Sequence, residues 1–124
     1  MTGFEVKIRE ASKELTAKER VKFKDTTNAI QLDDATKENP LVFCPDFYVI
    51  LDIHNERSED KDYVKYIVVD KDGVKFVTGS ESFFTAFKSI FEEMGGTNED
   101  YEIEVYRLPS KNYKGKEFLT CSIV

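Results

Sequence analysis

The stretch "YVKYIVVDKDGVKFVTGSESFFTAFKSIFEEM", residues 63–94, changes its hydrophobic period part-way along, and this change decides the fold class. Residues 63–69 and 74–78 are rich in β-branched and aromatic side chains. Between them, Asp72 and Gly73 form a dipeptide that supplies the positive φ angles of hairpin turns. The first half of the stretch therefore predicts two strands joined by a tight turn.

The second half of the stretch has the period of a helix. Thr78 or Ser80 can cap its start, with Glu81 three residues after Thr78 as the partner in a capping box, and Gly95 and Gly96 end the apolar run. The residues at helical spacing are Phe83, Phe84, Phe87, Ile90, Phe91 and Met94. We expect this amphipathic helix to pack its phenylalanine stripe on a sheet.

Strands are also predicted on both sides of this stretch. The unbroken apolar run at 47–53 is typical of a central strand that is covered on both faces. Thr16, with Glu19 three residues later, predicts a short turn or a one-turn helix near the N-terminus. The remaining predicted strands are residues 4–10, 20–24, 101–108 and 116–124.

Six or seven strands and one helix indicate a mainly β chain with a single domain over residues 1–124. An OB-like small β-barrel accounts for a helix that lies between a middle hairpin and a final hairpin, with the N-terminal strands as additions. An α+β sandwich is the competing architecture.

Charge is divided unevenly along the chain, although the net charge is −6. Residues 1–24 carry seven Lys or Arg against four Glu, and residues 107–124 carry four against one. The middle, residues 25–106, carries seven basic residues against nineteen acidic ones. The acidic total therefore does not exclude a basic surface, provided that the two ends of the chain meet.

The loop "PSKNYKGKEF", residues 109–118, has the composition of a surface for single-stranded nucleic acid. Such surfaces combine cations that follow the phosphates with aromatic rings on which bases stack. Around this loop the cations are Arg107, Lys111, Lys114 and Lys116, and the rings are Tyr113 and Phe118. For Phe118, packing in the core is the competing interpretation, and for the lysines it is protection of a sheet edge.

The middle hairpin adds further candidates for the same surface. They are Lys65, Tyr66, Lys75 and Phe76. Because side chains alternate between the two faces of a strand, some of these four must point into the core.

The C-terminal half of the chain resembles the small OB-fold single-stranded-DNA-binding proteins of bacteriophages that infect low-GC Gram-positive bacteria. The resemblance covers residues 70–124, where a glycine-containing hairpin, a helix and a final lysine-rich hairpin follow one another. Its motif residues are Ser110, Lys111, Lys114, Gly115, Lys116 and Phe118. Residues 15–30 resemble phage and mobile-element proteins. Because residues 116–124 read as a strand, we expect the protein to lack the acidic tail that many bacterial single-strand binders use to recruit partners.

Catalytic motifs are missing from the sequence. No glycine-rich phosphate loop, nucleophile elbow or Cys-His pairing occurs. His54 has Asp52 and Glu56 at alternate positions, but one histidine with two acids lacks the further imidazole or thiolate ligands that are usual at a transition-metal site. We therefore expect a binding protein with no metal and no cofactor, rather than an enzyme.

The apolar runs, the N-terminal residues and the cysteines of the sequence lead us to expect that the protein is located in the cytoplasm. No apolar run approaches the roughly 20 residues that span a bilayer, and the N-terminus lacks the apolar core of a signal peptide. Cys44 and Cys121 lie far apart in apolar runs, so they are expected to be buried, reduced thiols.

Two functions compete at this stage. The first is binding of single-stranded DNA during phage or mobile-element replication or recombination, with replication or recombination proteins as partners and a homo-oligomer as an option that no sequence feature fixes. The second is an acidic phage accessory protein that binds a host protein and inhibits or redirects it, because a negative body can mimic nucleic acid.

Overall fold

A computed structural model of the chain describes residues 4–26, 28–57, 59, 61–95, 100–110 and 115–124. The described residues form eight strands and three helices, so the prediction of a mainly β chain is confirmed and the prediction of a single helix is wrong. The strands lie in two open sheets, and the closed barrel is not observed among them.

The chain divides into two compact units. Unit 1 comprises Met1–Ile30 and Asp46–Gly79, and unit 2 comprises Gln31–Pro45 and Ser80–Val124. Each unit is built from two separate segments of sequence, so no single linker divides the chain.

The described residues form eleven secondary-structure elements. In chain order they are β1 (Phe4–Ala11), α1 (Ala17–Lys24), β2 (Ile30–Gln31), α2 (Leu32–Ala35), β3 (Leu41–Phe43), β4 (Pro45–Asn55), β5 (Asp62–Asp70), β6 (Lys75–Thr78), α3 (Glu81–Met94), β7 (Ile103–Pro109) and β8 (Glu117–Ile123).

The larger sheet has the strand order β1-β4-β5-β6-β2, and β4 is an inner strand as predicted. One face of β4 carries Val49, Leu51 and Ile53, which pack with Phe23 of α1 and Ile67 of β5. Of the β4 residues that alternate with these three, Tyr48 and Ile50 are buried and Asp46 is exposed, so this strand is covered on both faces in its middle part, between Phe47 and Leu51.

The β5–β6 hairpin is confirmed, with one change in its turn. Gly73 has a φ of +85°, whereas Asp72 does not have a positive φ. The Asp70 carboxylate accepts hydrogen bonds from the backbone N–H groups of Asp72 (2.9 Å) and Val74 (2.8 Å). This longer loop needs only one residue with positive φ, and glycine supplies it.

Residues 20–24 were predicted as a strand and belong instead to α1. The alternation of Val21 and Phe23 with basic residues imitates a strand, but Phe23 is the buried residue of the helix. A capping box starts α1, because the Thr16 hydroxyl accepts from the Glu19 N–H (3.2 Å) and the Glu19 carboxylate accepts from the Thr16 N–H (3.1 Å). This local stabilisation and the helix-forming residues outweigh the alternation.

Unit 2 by itself is a helix packed on a three-stranded antiparallel sheet. The strand order is β3-β7-β8, and α3 packs against β8. Ser80 caps α3 by accepting a hydrogen bond from the Phe83 N–H (3.2 Å), so of the two predicted caps the structure selects Ser80. Phe83, Phe84 and Phe87 are buried, which confirms the predicted phenylalanine stripe.

Both cysteines are free thiols, as predicted. Cys121 on β8 is buried, and burial raises its pKa to about 12. Cys44, between β3 and β4, is only half-buried.

Candidate nucleic-acid interface

One face of the unit 2 sheet carries exposed apolar side chains. The register pairs Val42 with Glu104, Glu104 with Ser122, Tyr106 with Thr120 and Leu108 with Phe118. We call the side of the sheet formed by these residues the outer face. On it, Val42 is 45% exposed, Leu108 40% and Phe118 38%.

The opposite side of the same sheet is the core of unit 2. Its residues are Phe43, Ile103, Val105, Leu119 and Cys121, all buried. Because side chains alternate along a strand, burial of this set leaves the residues between them on the outer face. Phe118 is thus directed away from the core of its unit, and core packing is not its role.

Two aromatic residues of the outer face are diagonal neighbours. Tyr106 lies opposite Thr120, and the next pair on this face is Leu108 opposite Phe118, two residues away on each strand. The Tyr106 hydroxyl is 2.6 Å from the Ser122 hydroxyl, so the phenol ring leans towards Ser122, which lies on the diagonal opposite to that of Phe118. The half-buried ring of Tyr106 and the exposed ring of Phe118 therefore share one sheet surface, and aromatic side chains on such a surface are groups on which bases can stack.

The lysine-bearing hairpin begins at the end of this face. The Ser110 N–H donates to the Lys116 carbonyl (2.8 Å), which closes the base of the hairpin, and Gly115 has a φ of +81°. Lys116 is exposed. The predicted site residues Lys111, Tyr113 and Lys114 lie outside the described residues.

Arg107 was predicted to contact phosphate, but its guanidinium is engaged within unit 2. It donates to the Asp33 carbonyl and, at 3.4 Å, to the Thr36 hydroxyl. Thr36 in turn donates to the Leu32 carbonyl (2.7 Å). Arg107 therefore ties α2 to β7, and these contacts reduce its availability for a ligand.

The four candidates of the middle hairpin do not form one surface. Phe76 is 4% exposed, so the prediction that its ring stacks on a base is wrong. The Lys75 ammonium donates to the Lys22 carbonyl (3.1 Å) and lies 5.3 Å from the centre of the Phe23 ring. Lys65 and Tyr66 are half-buried and, as neighbours on β5, point to opposite faces.

Tyr106 is the residue of the outer face that sequence reasoning missed. The segment at 101–108 was recognised as a strand, and Tyr106 and Leu108 share a parity along it. The alternation of side chains along this strand therefore already placed Tyr106 and Leu108 on the same face. The sequence alone did not show which of the two alternating sets of residues faces the core, because the charged Arg107 lies on the same side of the strand as the buried Ile103 and Val105.

A second group of polar residues lies in unit 1, on β1, β4 and β5. It surrounds a cleft of about 440 Å³. Asp52 is bound there by the Arg9 guanidinium, with Nε of Arg9 3.0 Å from the Asp52 carboxylate. His54 contacts Asp62 through Nδ1 (2.7 Å) and Glu56 through Nε2 (2.6 Å).

The surroundings of His54 favour its charged form. A neutral imidazole donates only one hydrogen bond, whereas two carboxylates accept from this ring, so the geometry requires imidazolium. Hydrogen bonds to Asp62 and then to Glu56 raise the pKa of His54, and the hydrogen bond from His54 lowers the pKa of Glu56. Asp52, which the sequence placed beside His54 as a metal-site candidate, pairs with Arg9. Among the described residues, no three His, Cys, Asp or Glu side chains are arranged so that they could hold a metal ion.

His54 is the single histidine, so its titration can be followed by NMR without ambiguity. We expect the midpoint to lie above 6.5 in the folded protein and to return to about 6.5 in urea. Because the folded-state pKa is raised, the stabilisation from charged His54 is fully present below pH 6.5 and is lost as pH rises through the raised value. A folded-state midpoint at or below 6.5 would contradict the two hydrogen bonds, and His54→Gln is the control that assigns the resonance.

Comparisons with family models, curated proteins and solved structures find no match. Among the described residues, no helix has both the length and the apolar content needed to cross a membrane.

Proposed function

We propose that the protein binds single-stranded DNA without strong sequence preference, with bases stacked on the outer face of unit 2. The observation that carries the proposal is the placement of Phe118, a 38% exposed ring that is directed away from the core, beside Tyr106 on one sheet surface. Aromatic rings contribute strongly to interfaces, and every base offers a π-face on which such a ring can stack.

Phosphate contacts are assigned to the lysines at the end of this face. Lys116 is exposed at the base of the hairpin, and the sequence places Lys111, Tyr113 and Lys114 in the same loop. Cations beside stacking rings supply the sequence-independent part of the affinity. The resemblance to phage single-strand binders supports a role in phage or mobile-element replication or recombination, with proteins of those processes as partners and a homo-oligomer as an option.

As in the OB-like barrel that the sequence predicts, the proposed binding surface is one face of an antiparallel sheet. A closed barrel is not required for stacking, because two neighbouring strands of one sheet carry the rings that the proposal uses. No chemical step is assigned to the protein.

Fluorescence anisotropy of a labelled oligo-dT strand, titrated with protein at two salt concentrations and with duplex DNA as competitor, tests the function. We expect binding that duplex does not displace and that weakens with salt by about 0.7 log units per log unit of salt for each phosphate contacted. Absence of binding at low salt would exclude the proposal.

One observation favours the rival function, a protein that binds a host protein. Val42 and Leu108 share the outer face with the aromatic pair, and aliphatic side chains contribute more to a protein interface than to a stacked base. If the anisotropy titration shows no binding, capture of host proteins by wild type but not by Leu108→Glu would support this second candidate.

A further inference from the structure

Helix α1 presents four cations to solvent. Lys18, Arg20, Lys22 and Lys24 are all exposed, within a helix of eight residues. Within the described part of the chain, none of these four side chains forms an ion pair. A concentration of unpaired positive charge on one short element of an acidic protein calls for an explanation.

The other basic side chains near α1 contrast with these four, because they contact the protein itself. The Lys13 ammonium lies 4.0 Å from the centre of the Phe47 ring and 3.7 Å from the Glu19 carboxylate. Lys75 donates to the Lys22 carbonyl near the end of α1. Lys13 and Lys75 therefore act within unit 1. The side-chain charges of α1 have a smaller role there, which is the favourable position of Lys22 and Lys24 in the last turn of the helix, and Lys18 and Arg20 lack even this.

The positions of the four residues suit an extended anion. Lys18 and Lys22 are one turn apart, as are Arg20 and Lys24, so each pair is separated by about 6 Å along the helix axis. Phe23 is buried, and Val21, which is 71% exposed, lies on the opposite side among the cations. The two pairs lie on either side of Val21, about 160° apart around the helix axis. An extended phosphate chain can therefore follow one pair of charges along the axis, and the other pair lies on the opposite flank of the helix.

We propose that α1 is a phosphate-binding element, through which unit 1 contacts the backbone of single-stranded nucleic acid. This inference rests on the proposed function and adds a second set of contact residues to it. A membrane surface fits less well, because interfacial helices carry a face of large apolar residues, and α1 exposes only Val21 from that class. A protein partner also fits less well, because lysine is depleted in protein interfaces.

The experiment compares a triple variant, Lys18→Gln, Lys22→Gln and Lys24→Gln, with wild type. Glutamine keeps a similar helix propensity and removes the charge. The probe is an oligo-dT strand of about 30 nucleotides, longer than the roughly 4–16 nucleotides that one OB-type site covers. We expect the slope of log affinity against log salt to fall by up to about 2, and the affinity near 0.1 M salt to fall roughly 10- to 100-fold.

Two further variants make the result specific. Lys61→Gln, Lys71→Gln and Lys88→Gln change the net charge equally at lysines that each lie within 4.0 Å of a carboxylate, and we expect a much smaller effect. A third variant, Lys18→Arg, Lys22→Arg and Lys24→Arg, keeps the charge and is expected to retain wild-type binding. Circular dichroism shows whether the glutamine variant of α1 has lost helical structure. If it has, the arginine variant is the test, and loss of binding by the arginine variant would contradict the inference.

The outcomes separate this inference from the function on which it rests. If wild type does not bind the strand, the result contradicts both the inference about α1 and the proposed function. If wild type binds and the α1 glutamine variant binds equally with the same salt slope, or the matched control loses as much, α1 is not a phosphate-binding element and the proposed function stands. If the α1 variant is weakened and Phe118→Ala is not, the inference stands and the outer face is not the stacking surface.

Discussion

Phe87→Ala is expected to lower the free energy of unfolding by about 3–5 kcal/mol, the usual cost of removing a buried phenylalanine. The side chain is fully buried in unit 2. Its ring centre lies 6.0 Å from that of Phe83, 6.1 Å from that of Phe84 and 5.6 Å from that of Phe91. Truncation therefore removes three aromatic contacts at once and leaves a cavity between α3 and its sheet.

Chemical denaturation followed by far-UV circular dichroism measures this change. Phe118→Ala is the matched control, because it removes the same atoms from an exposed position, and we expect it to change the free energy of unfolding by no more than about 0.5 kcal/mol. A loss below about 1 kcal/mol for Phe87→Ala would contradict the burial of the phenylalanine stripe.

Phe118→Ala is expected to have its large effect on binding instead. Removal of one stacked ring costs about 1–3 kcal/mol per base, which corresponds to a roughly 5- to 150-fold weaker affinity for oligo-dT. Stacking on a ring is nearly independent of salt, so the salt slope should remain that of wild type. This separates the role of Phe118 from that of the lysines, whose loss reduces the slope.

Ile123→Ala is the control for that experiment. Ile123 lies on the same strand and is 48% exposed, but its parity places it on the side of the sheet away from the outer face. We expect its affinity for oligo-dT to equal that of wild type. Equal losses for the two variants would show that β8, rather than its outer face, matters for binding.

Much of the fold could be predicted from hydrophobic period. The hairpin at 63–78 and the helix after Ser80 were correct because each has an unambiguous period and local signals at its ends, namely Gly73 in the turn and Ser80 at the cap. The start of α1 was predicted from Thr16 and Glu19, but residues 20–24 were mistaken for a strand, because the eight residues of the helix contain one buried side chain, Phe23, which is too few to define a period.

The site was harder to predict because alternation along a strand does not identify the buried face. Phe76 and Phe118 have similar sequence surroundings, yet the first is 4% exposed and the second 38% exposed. Arg107 likewise looked available, and its partners Asp33 and Thr36 are more than 70 positions earlier in the chain. Such long-range contacts depend on strand order and register, which no local pattern of one sequence encodes.

Photo-crosslinking is the most direct test of the central claim, which is that bases stack on the outer face of unit 2. A strand that carries photoreactive iododeoxyuridine would be irradiated in complex with the protein, and the attached peptides would be identified by mass spectrometry. We predict crosslinks at Phe118 and Tyr106, and their loss when unlabelled oligo-dT is added in excess. Crosslinks confined to unit 1, or none in a mixture that binds by anisotropy, would contradict the claim.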